Sequence, residues 1–215
     1  MEYELLDDLN LTGQLLDFGG GENANYREHA KKWARNCTYD SVNIDGKIRP
    51  TYLISPGQPL PIATNTYDHA LALNTLEHVY EVEDALREIL RILKPEATLF
   101  ATVPFLFRIH GHPDDFLRCT PNWWGRTLEK IGYTDIVITP ILWGPFSTGL
   151  SVAGAPGPFK SARMKLALIL DIVYLHWASR RDRQACLSGP IGESLCNSPL
   201  GFLIEARKPA LMGAA

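Results

Sequence analysis

The chain has 215 residues, 46% of them hydrophobic and 21% charged, with a formal net charge of -3. That is the profile of an ordinary globular protein with one core. It excludes the basic surface that binding to nucleic-acid phosphates requires, so no nucleic-acid partner is expected.

The opening Met1-Glu2-Tyr3-Glu4-Leu5-Leu6-Asp7-Asp8 has neither the cationic start nor the apolar run of a secretory signal, and a cytoplasmic protein is expected. Gln14 to Phe18 is a short apolar run that stops at Gly19-Gly20-Gly21, and Asn23 to Asn36 follows with helix-compatible residues and a cationic end. This reads as strand, turn, helix. Ser41 to Ile44, ending on Asp45-Gly46, is a second strand, and Asp68 to Leu73, ending on Asn74, a third. From Val82 to Leu93 the apolar residues Ala85, Leu86, Ile89, Leu90 and Leu93 recur at helical spacing, and Lys94-Pro95 ends that helix. Thr98 to Val103 is a strand closed by Pro104, which lacks an N–H for the ladder. A helix from Pro121 to Ile131 and strands at Asp135 to Thr139 and Gly201 to Arg207 complete the pattern. Strands alternating with helices predict an α/β fold around a parallel sheet.

Residues Pro140 to Pro199 are far too many for a simple connection between the last two strands, and predict an insertion or lid within a single domain spanning 1–215. Inside it, Ala162 to Ala178 is apolar nearly all round, yet too short and too often interrupted, by Lys165, Asp171 and His176, to span a membrane. Burial of more than one face, against the core or in a homodimer, is expected. Lys160, Arg163, Lys165, Arg180, Arg181 and Arg183 around it also allow peripheral contact with an anionic membrane. The cysteines Cys37, Cys119, Cys186 and Cys196 contain no Cys-x-x-Cys pair and read as free thiols.

Three glycines at the carboxyl end of a first strand let backbone approach a ligand closely. Taken alone, Gly19-Gly20-Gly21-Glu22-Asn23-Ala24 fits a dinucleotide fingerprint, with Asp45 about 20 residues on for a ribose, as well as it fits a methionine-bearing cofactor. Asp17 tilts the choice: its carboxylate repels a pyrophosphate and attracts the ammonium of a bound amino acid. Asp45 can accept from ribose hydroxyls in either case.

The ordered set Leu16-Asp17-Phe18-Gly19-Gly20-Gly21, Asn43-Ile44-Asp45, Tyr67-Asp68, Asn74-Thr75-Leu76-Glu77-His78-Val79 and Leu90-Arg91-Ile92-Leu93-Lys94-Pro95 resembles the class I, Rossmann-like S-adenosylmethionine-dependent methyltransferases, in their type 11 branch. The resemblance runs from Leu15 to about Pro104. It implies a doubly wound, mostly parallel sheet with an antiparallel last strand. It also implies that Asp17 binds the methionine amino group, that Phe18, Gly19, Gly20 and Gly21 hug the cofactor, that Asp45 and Gly46 hold the ribose, and that Asn74, Thr75 and Leu76 line the methionine end. The chain departs from the family where an acidic residue commonly precedes a Leu-Pro pair and bonds the adenine, for here Ser55-Pro56-Gly57-Gln58-Pro59 precedes Leu60-Pro61.

His110-Gly111-His112-Pro113-Asp114-Asp115-Phe116-Leu117-Arg118-Cys119-Thr120 resembles a His-x-x-Pro-x-Asp-aromatic-x-Arg-x-Thr signature of one branch, often associated with glycan or lipid modification. His110 is the candidate general base, with His112 in reserve and Asp115 beside it, and His110 and Arg118 are the candidate acceptor contacts. Asp115 and Arg118 also suit a local ion pair, and Thr120 a helix cap. No metal site is expected, because no helix places His110 and His112 on one face with Asp114 or Asp115. His78 reads as helix-start packing, and Trp123, Trp124 and Trp143 as core or lid. The expected reaction is in-line methyl transfer to an oxygen or nitrogen of a small-molecule, sugar or lipid-linked acceptor. A nicotinamide-dependent oxidoreductase and a cofactor-binding module without catalysis are the alternatives.

Overall fold

The computed structural model describes residues 9, 11–34, 36–111, 113–141, 144–178 and 198–210. Seven strands form one sheet: β1 (Thr12–Phe18), β2 (Asn36–Asn43), β3 (Tyr52–Leu53), β4 (Tyr67–Leu73), β5 (Leu93–Pro104), β6 (Thr134–Ile141) and β7 (Gly201–Arg207). Their order is β3-β2-β1-β4-β5-β7-β6. The first five run parallel to one another, while β7 lies antiparallel between β5 and β6. Helices α1 (Arg27–Trp33), α2 (Val82–Ile92), α3 (Pro121–Ile131), α4 (Pro145–Val152) and α5 (Lys160–Ala178) complete the described elements, with short 3-10 turns at Gly46–Ile48 and Leu76–His78.

A parallel sheet is buried on both faces, so its strands carry apolar side chains at consecutive positions. On β1, Leu15 packs into a cluster with Tyr26, Ala30 and Trp33 of the α1 side, while Leu16 packs into the opposite cluster with Leu86, Ile89, Trp124 and Leu128 of α2 and α3. Both leucines are fully buried. α2 turns Val82, Leu86, Ile89 and Ile92 inward at helical spacing. α3 has the bounds the sequence predicts: Thr120 accepts from the N–H of Trp123, Pro121 occupies the first turn, and Gly132 closes the helix in the left-handed region at φ +114°.

The differences from expectation have local causes. α1 begins only at Arg27, because Asn23 is tied instead to the backbone of Lys47 and Ile48, and β2 already starts at Asn36. Leu93 leaves the α2 helix and pairs with Tyr67 as the first residue of β5. β3 and α4 were not legible: β3 has only two residues, and α4 carries Gly149 among small polar residues.

The largest correction concerns α5, whose apolar side chains do not pack against the core, the first of the two placements expected for them. Leu166, Ile169, Ile172, Val173 and Trp177 are each more than half exposed, and only Ala167 and Asp171 are buried among the residues whose burial is described. Its partner within the described residues is α4, through Asp171, which accepts from the N–H groups of Phe146 and Ser147. A helix anchored on one narrow stripe leaves the rest of its circumference outward. No helix among the described residues is long and apolar enough to cross a membrane.

Candidate functional site

The carboxyl ends of β1, β2, β4 and β5 meet where the strand order reverses, between β1 and β4, which is the ligand crevice of open α/β sheets. Gly19 adopts φ +96°, and a Cβ there would strike the Thr75 side chain, so the β1 turn lies directly against the β4 turn. A Cβ on Gly20 would strike the Asp17 carboxylate, and one on Gly21 the Ile48 carbonyl. Asn43 Nδ2 donates to the carbonyl of Gly19, binding the β2 end to the same turn. All three glycines are required by close approach, each to a different segment.

Asp17 is fully buried. Its carboxylate accepts from the hydroxyl of Tyr26 at 2.9 Å and from that of Tyr39 at 2.5 Å, and the Arg27 guanidinium lies 3.5 Å over the Tyr39 ring. Burial raises Asp17 from 3.8 to about 6, although the two tyrosine hydroxyls and Arg27 pull it back down. Burial also drives the Tyr39 hydroxyl well above its ordinary range, with the neighbouring Asp17 charge adding to the rise. The structure thus encloses Asp17 beneath the glycine turn, with hydroxyls on its oxygens where a cofactor ammonium was expected.

Asp45 is half-buried, accepts from the N–H of Lys47 through Oδ1, and makes no hydrogen bond through Oδ2 among the described residues. Gly46 is exposed beside Leu53. Phe18 and Leu76 are buried in the core cluster that also holds residues of α2 and α3. Asn74 takes a left-handed conformation at φ 47°, with its N–H donating to the carbonyl and the hydroxyl of Thr102. The residues therefore suit S-adenosylmethionine along the glycine turn and at the ribose, and differ from expectation at its amino end.

The segment around Leu60-Pro61 is fixed from α2. Glu88 accepts from the N–H of Leu60, and Arg91 donates to the carbonyls of Leu60 and Ile62 while holding Glu88 through its Nε and Nη2. Arg91 keeps the Glu88 carboxyl below its ordinary value.

Beyond the β4 and β5 ends lies a cavity of about 120 Å³ lined by Asn74, Pro104, Phe107, His110, Ile141, Leu200 and Gly201. His110 and Asn74, drawn from two separate motifs, share this wall. Asp115 is gripped by Arg118 through both oxygens and accepts from the His110 N–H, and the Arg118 bonds hold its carboxyl down at about 2. Arg118 also donates to the carbonyls of Phe107 and Leu117, so its donors are spent in shaping the loop. Thr120 is the cap of α3, and Trp124 is core. His112 and Trp143 lie outside the described residues.

The metal grouping considered on sequence, His110 and His112 with Asp114 or Asp115, is replaced by another. Asp115 is committed to Arg118, while Glu77, His78 and His110 bring their ligand atoms within 4.8 Å of one another. Adjacency of the β4 and β5 ends makes that set, and chain spacing does not reveal it. Tyr26, Tyr39, Glu88 and Arg91 carry no motif in the sequence beyond the Glu88-Arg91 spacing on α2.

Residues 16–101 match the model of a methyltransferase domain family. Among curated proteins, none matches the chain. Solved structures share the fold. An S-adenosylmethionine-dependent methyltransferase from Archaeoglobus fulgidus is 13% identical, covering 96% of this chain and 94% of that one, with a TM-score of 0.57. A putative methyltransferase of Haloferax volcanii, solved with the Trm112 methyltransferase activator, is 13% identical, covering 96% and 87%, with a TM-score of 0.60. The [4+2]-cyclase SpnF is 18% identical, covering 97% and 80%, with a TM-score of 0.53.

Proposed function

We propose that the chain is a class I S-adenosylmethionine-dependent methyltransferase, as the methyltransferase-domain match of residues 16–101 and the shared fold support, and that it methylates an oxygen or nitrogen of a small-molecule, sugar or lipid-linked acceptor seated in the cavity beside His110. The observation that carries this is the shared wall of that cavity, where Asn74 from the donor-side turn and His110 from the acceptor-side loop face one space. S-adenosylmethionine, when bound, supplies the electrophilic methyl group for in-line displacement. Gly19, Gly20, Gly21, Asp45, Gly46, Asn74 and Thr75 hold the donor in this reading. Asp17 acts from beneath the turn by its charge, and the Glu88-Arg91 fixture supports the adenine end through Leu60. Orientation of this kind supplies about 7–11 kcal/mol of a barrier, which leaves a modest part for a base.

His110 is the residue placed to take a proton from the acceptor, and Asp115 with Arg118 positions it. His112 remains the reserve base. Residues 140–199 act as the lid of a single domain. The exposed apolar face of α5, beside the exposed Lys160 and Lys165, favours contact with an anionic membrane carrying a lipid-linked acceptor over a dimer seam. The free thiols of Cys37 and Cys119 suit a cytoplasmic setting.

The test replaces residues 142–198 by a short turn, which keeps Leu200 in place, then measures S-adenosylhomocysteine binding by calorimetry and methylation by mass shift over a panel of sugars and lipid-linked glycans. Binding should persist while methylation disappears. Unchanged turnover in the shortened chain would overturn the acceptor reading.

A further inference from the structure

Glu77 and His78 sit in the turn after β4, and His110 in the loop after β5. The Glu77 side chain is 1% exposed, and its Oε1 lies 3.7 Å from Nε2 of His78 and 3.8 Å from Nε2 of His110. These separations are too long for hydrogen bonds, which run about 2.7–3.2 Å. They are close to the spacing of two ligands on one ion: bonds of about 2.0–2.2 Å at tetrahedral or octahedral angles place ligand atoms roughly 3.0–3.5 Å apart.

The far side of each imidazole is already engaged. Nδ1 of His78 donates to the carbonyl of Asp114 at 2.5 Å, which leaves Nε2 of the neutral ring as a lone pair aimed at Glu77. Nδ1 of His110 has Oδ2 of Asp115 and the carbonyl of Arg108 each at 3.3 Å, and Nη2 of Arg118 at 3.5 Å. A carboxylate or carbonyl behind each imidazole is the arrangement that orients histidines on a metal and raises their basicity. The two rings meet edge to face, 5.1 Å apart at 80°, and a ligand atom of each lies within 4.8 Å of the other and of the Glu77 carboxylate.

We propose that Glu77, His78 and His110 form a binding site for one divalent transition-metal ion. Two imidazoles and one carboxylate suit Zn²⁺, Mn²⁺, Fe²⁺ or Co²⁺, and three protein ligands leave coordination positions open. His110 also lines the 120 Å³ cavity, so the ion would be held by a residue in the wall of the space where an acceptor oxygen would sit. Ligation through Nε2 occupies the nitrogen that would act as base, so in this arrangement His110 serves as a ligand in place of a base and meets the acceptor through the ion. That last use rests on the proposed acceptor site; the ion site itself does not.

The experiment titrates the full chain, stripped with a chelator, with Zn²⁺ by calorimetry and with Co²⁺ by visible absorption, in the absence of methyl donor and acceptor. One equivalent should bind, with the Co²⁺ spectrum of mixed nitrogen and oxygen ligation. His78→Asn and His110→Asn should each weaken binding at least tenfold, and His29→Asn should leave it unchanged, with thermal melting checking that every variant is folded. Absence of binding, or equal binding by His110→Asn and the unaltered chain, would overturn the proposal. A chain that binds one ion yet methylates nothing refutes the acceptor reading alone, and one that methylates without binding an ion refutes the metal site alone.

Discussion

The hydroxyl of the half-buried Tyr39 on β2 donates to the fully buried carboxylate of Asp17 on β1, beneath the glycine turn. Burial raises Asp17 to about 6 in the folded chain from an ordinary 3.8, so the folded state holds the proton more tightly than the unfolded one. The resulting stabilisation is complete below about pH 4 and is lost as pH rises through 6, an effect of roughly 3 kcal/mol. Thermal melts of the cofactor-free chain should therefore fall between about pH 5 and pH 8 by more than those of Asp17→Asn. Parallel pH slopes for the two chains would count against this account.

Gly20→Ala places a methyl group on the Asp17 carboxylate. It should lower the melting temperature and weaken S-adenosylhomocysteine binding at least tenfold. Asp17→Ala removes the obstruction, so the double variant should be more stable than the sum of the two single losses, read as a coupling of about 1–3 kcal/mol in a double-mutant cycle. Simple additivity would mean that the turn relaxes away from Asp17 without cost.

Arg91 bridges α2 to the carbonyls of Leu60 and Ile62. Arg91→Ala releases that segment and leaves Glu88 without its partner, at a cost of about 1–3 kcal/mol. Calorimetry should show weaker S-adenosylhomocysteine binding with no change at the acceptor side. Equal affinity in the variant would detach the Leu60 segment from the donor site.

Asp171 is buried and caps the first N–H groups of α4 from across the α4–α5 contact. Asp171→Ala should cost about 1–3 kcal/mol locally and reduce acceptor turnover while donor binding stays intact. Gly144→Ala should reproduce the effect, because its Cβ would meet the same carboxylate. Matching turnover in these variants and the unaltered chain would remove α4 and α5 from the acceptor site.

Much of the sheet was legible because its signals are local. Leu15-Leu16, Ala70-Leu71 and the glycine stop report a doubly buried strand and its end, and Thr120-Pro121 with Gly132 brackets α3 in full. What escaped was whatever depends on contacts across the sheet. Tyr39 meets Asp17 only because parallel pairing sets Leu15 opposite Tyr39 and Asp17 opposite Ser41. Glu77 meets His110 only because β4 and β5 are neighbours. The reach of α5 into solvent was illegible for a related reason: composition reports that a helix is apolar, not whether a surface exists to receive it.

The pairing of Ile141 with Gly201, and the bond from the Leu200 N–H to the Ile141 carbonyl, close the chain into a neck at the rim of the cavity. Everything between enters and leaves the sheet at a single point. Changes in length or sequence beyond that neck carry little penalty for the strands, since lengthening a loop with fixed ends costs only a logarithmic term. The neck thereby uncouples the strands from the connection that leaves them at Ile141 and returns at Leu200, so under the proposed lid reading the acceptor can change across a lineage while the sheet is inherited unaltered.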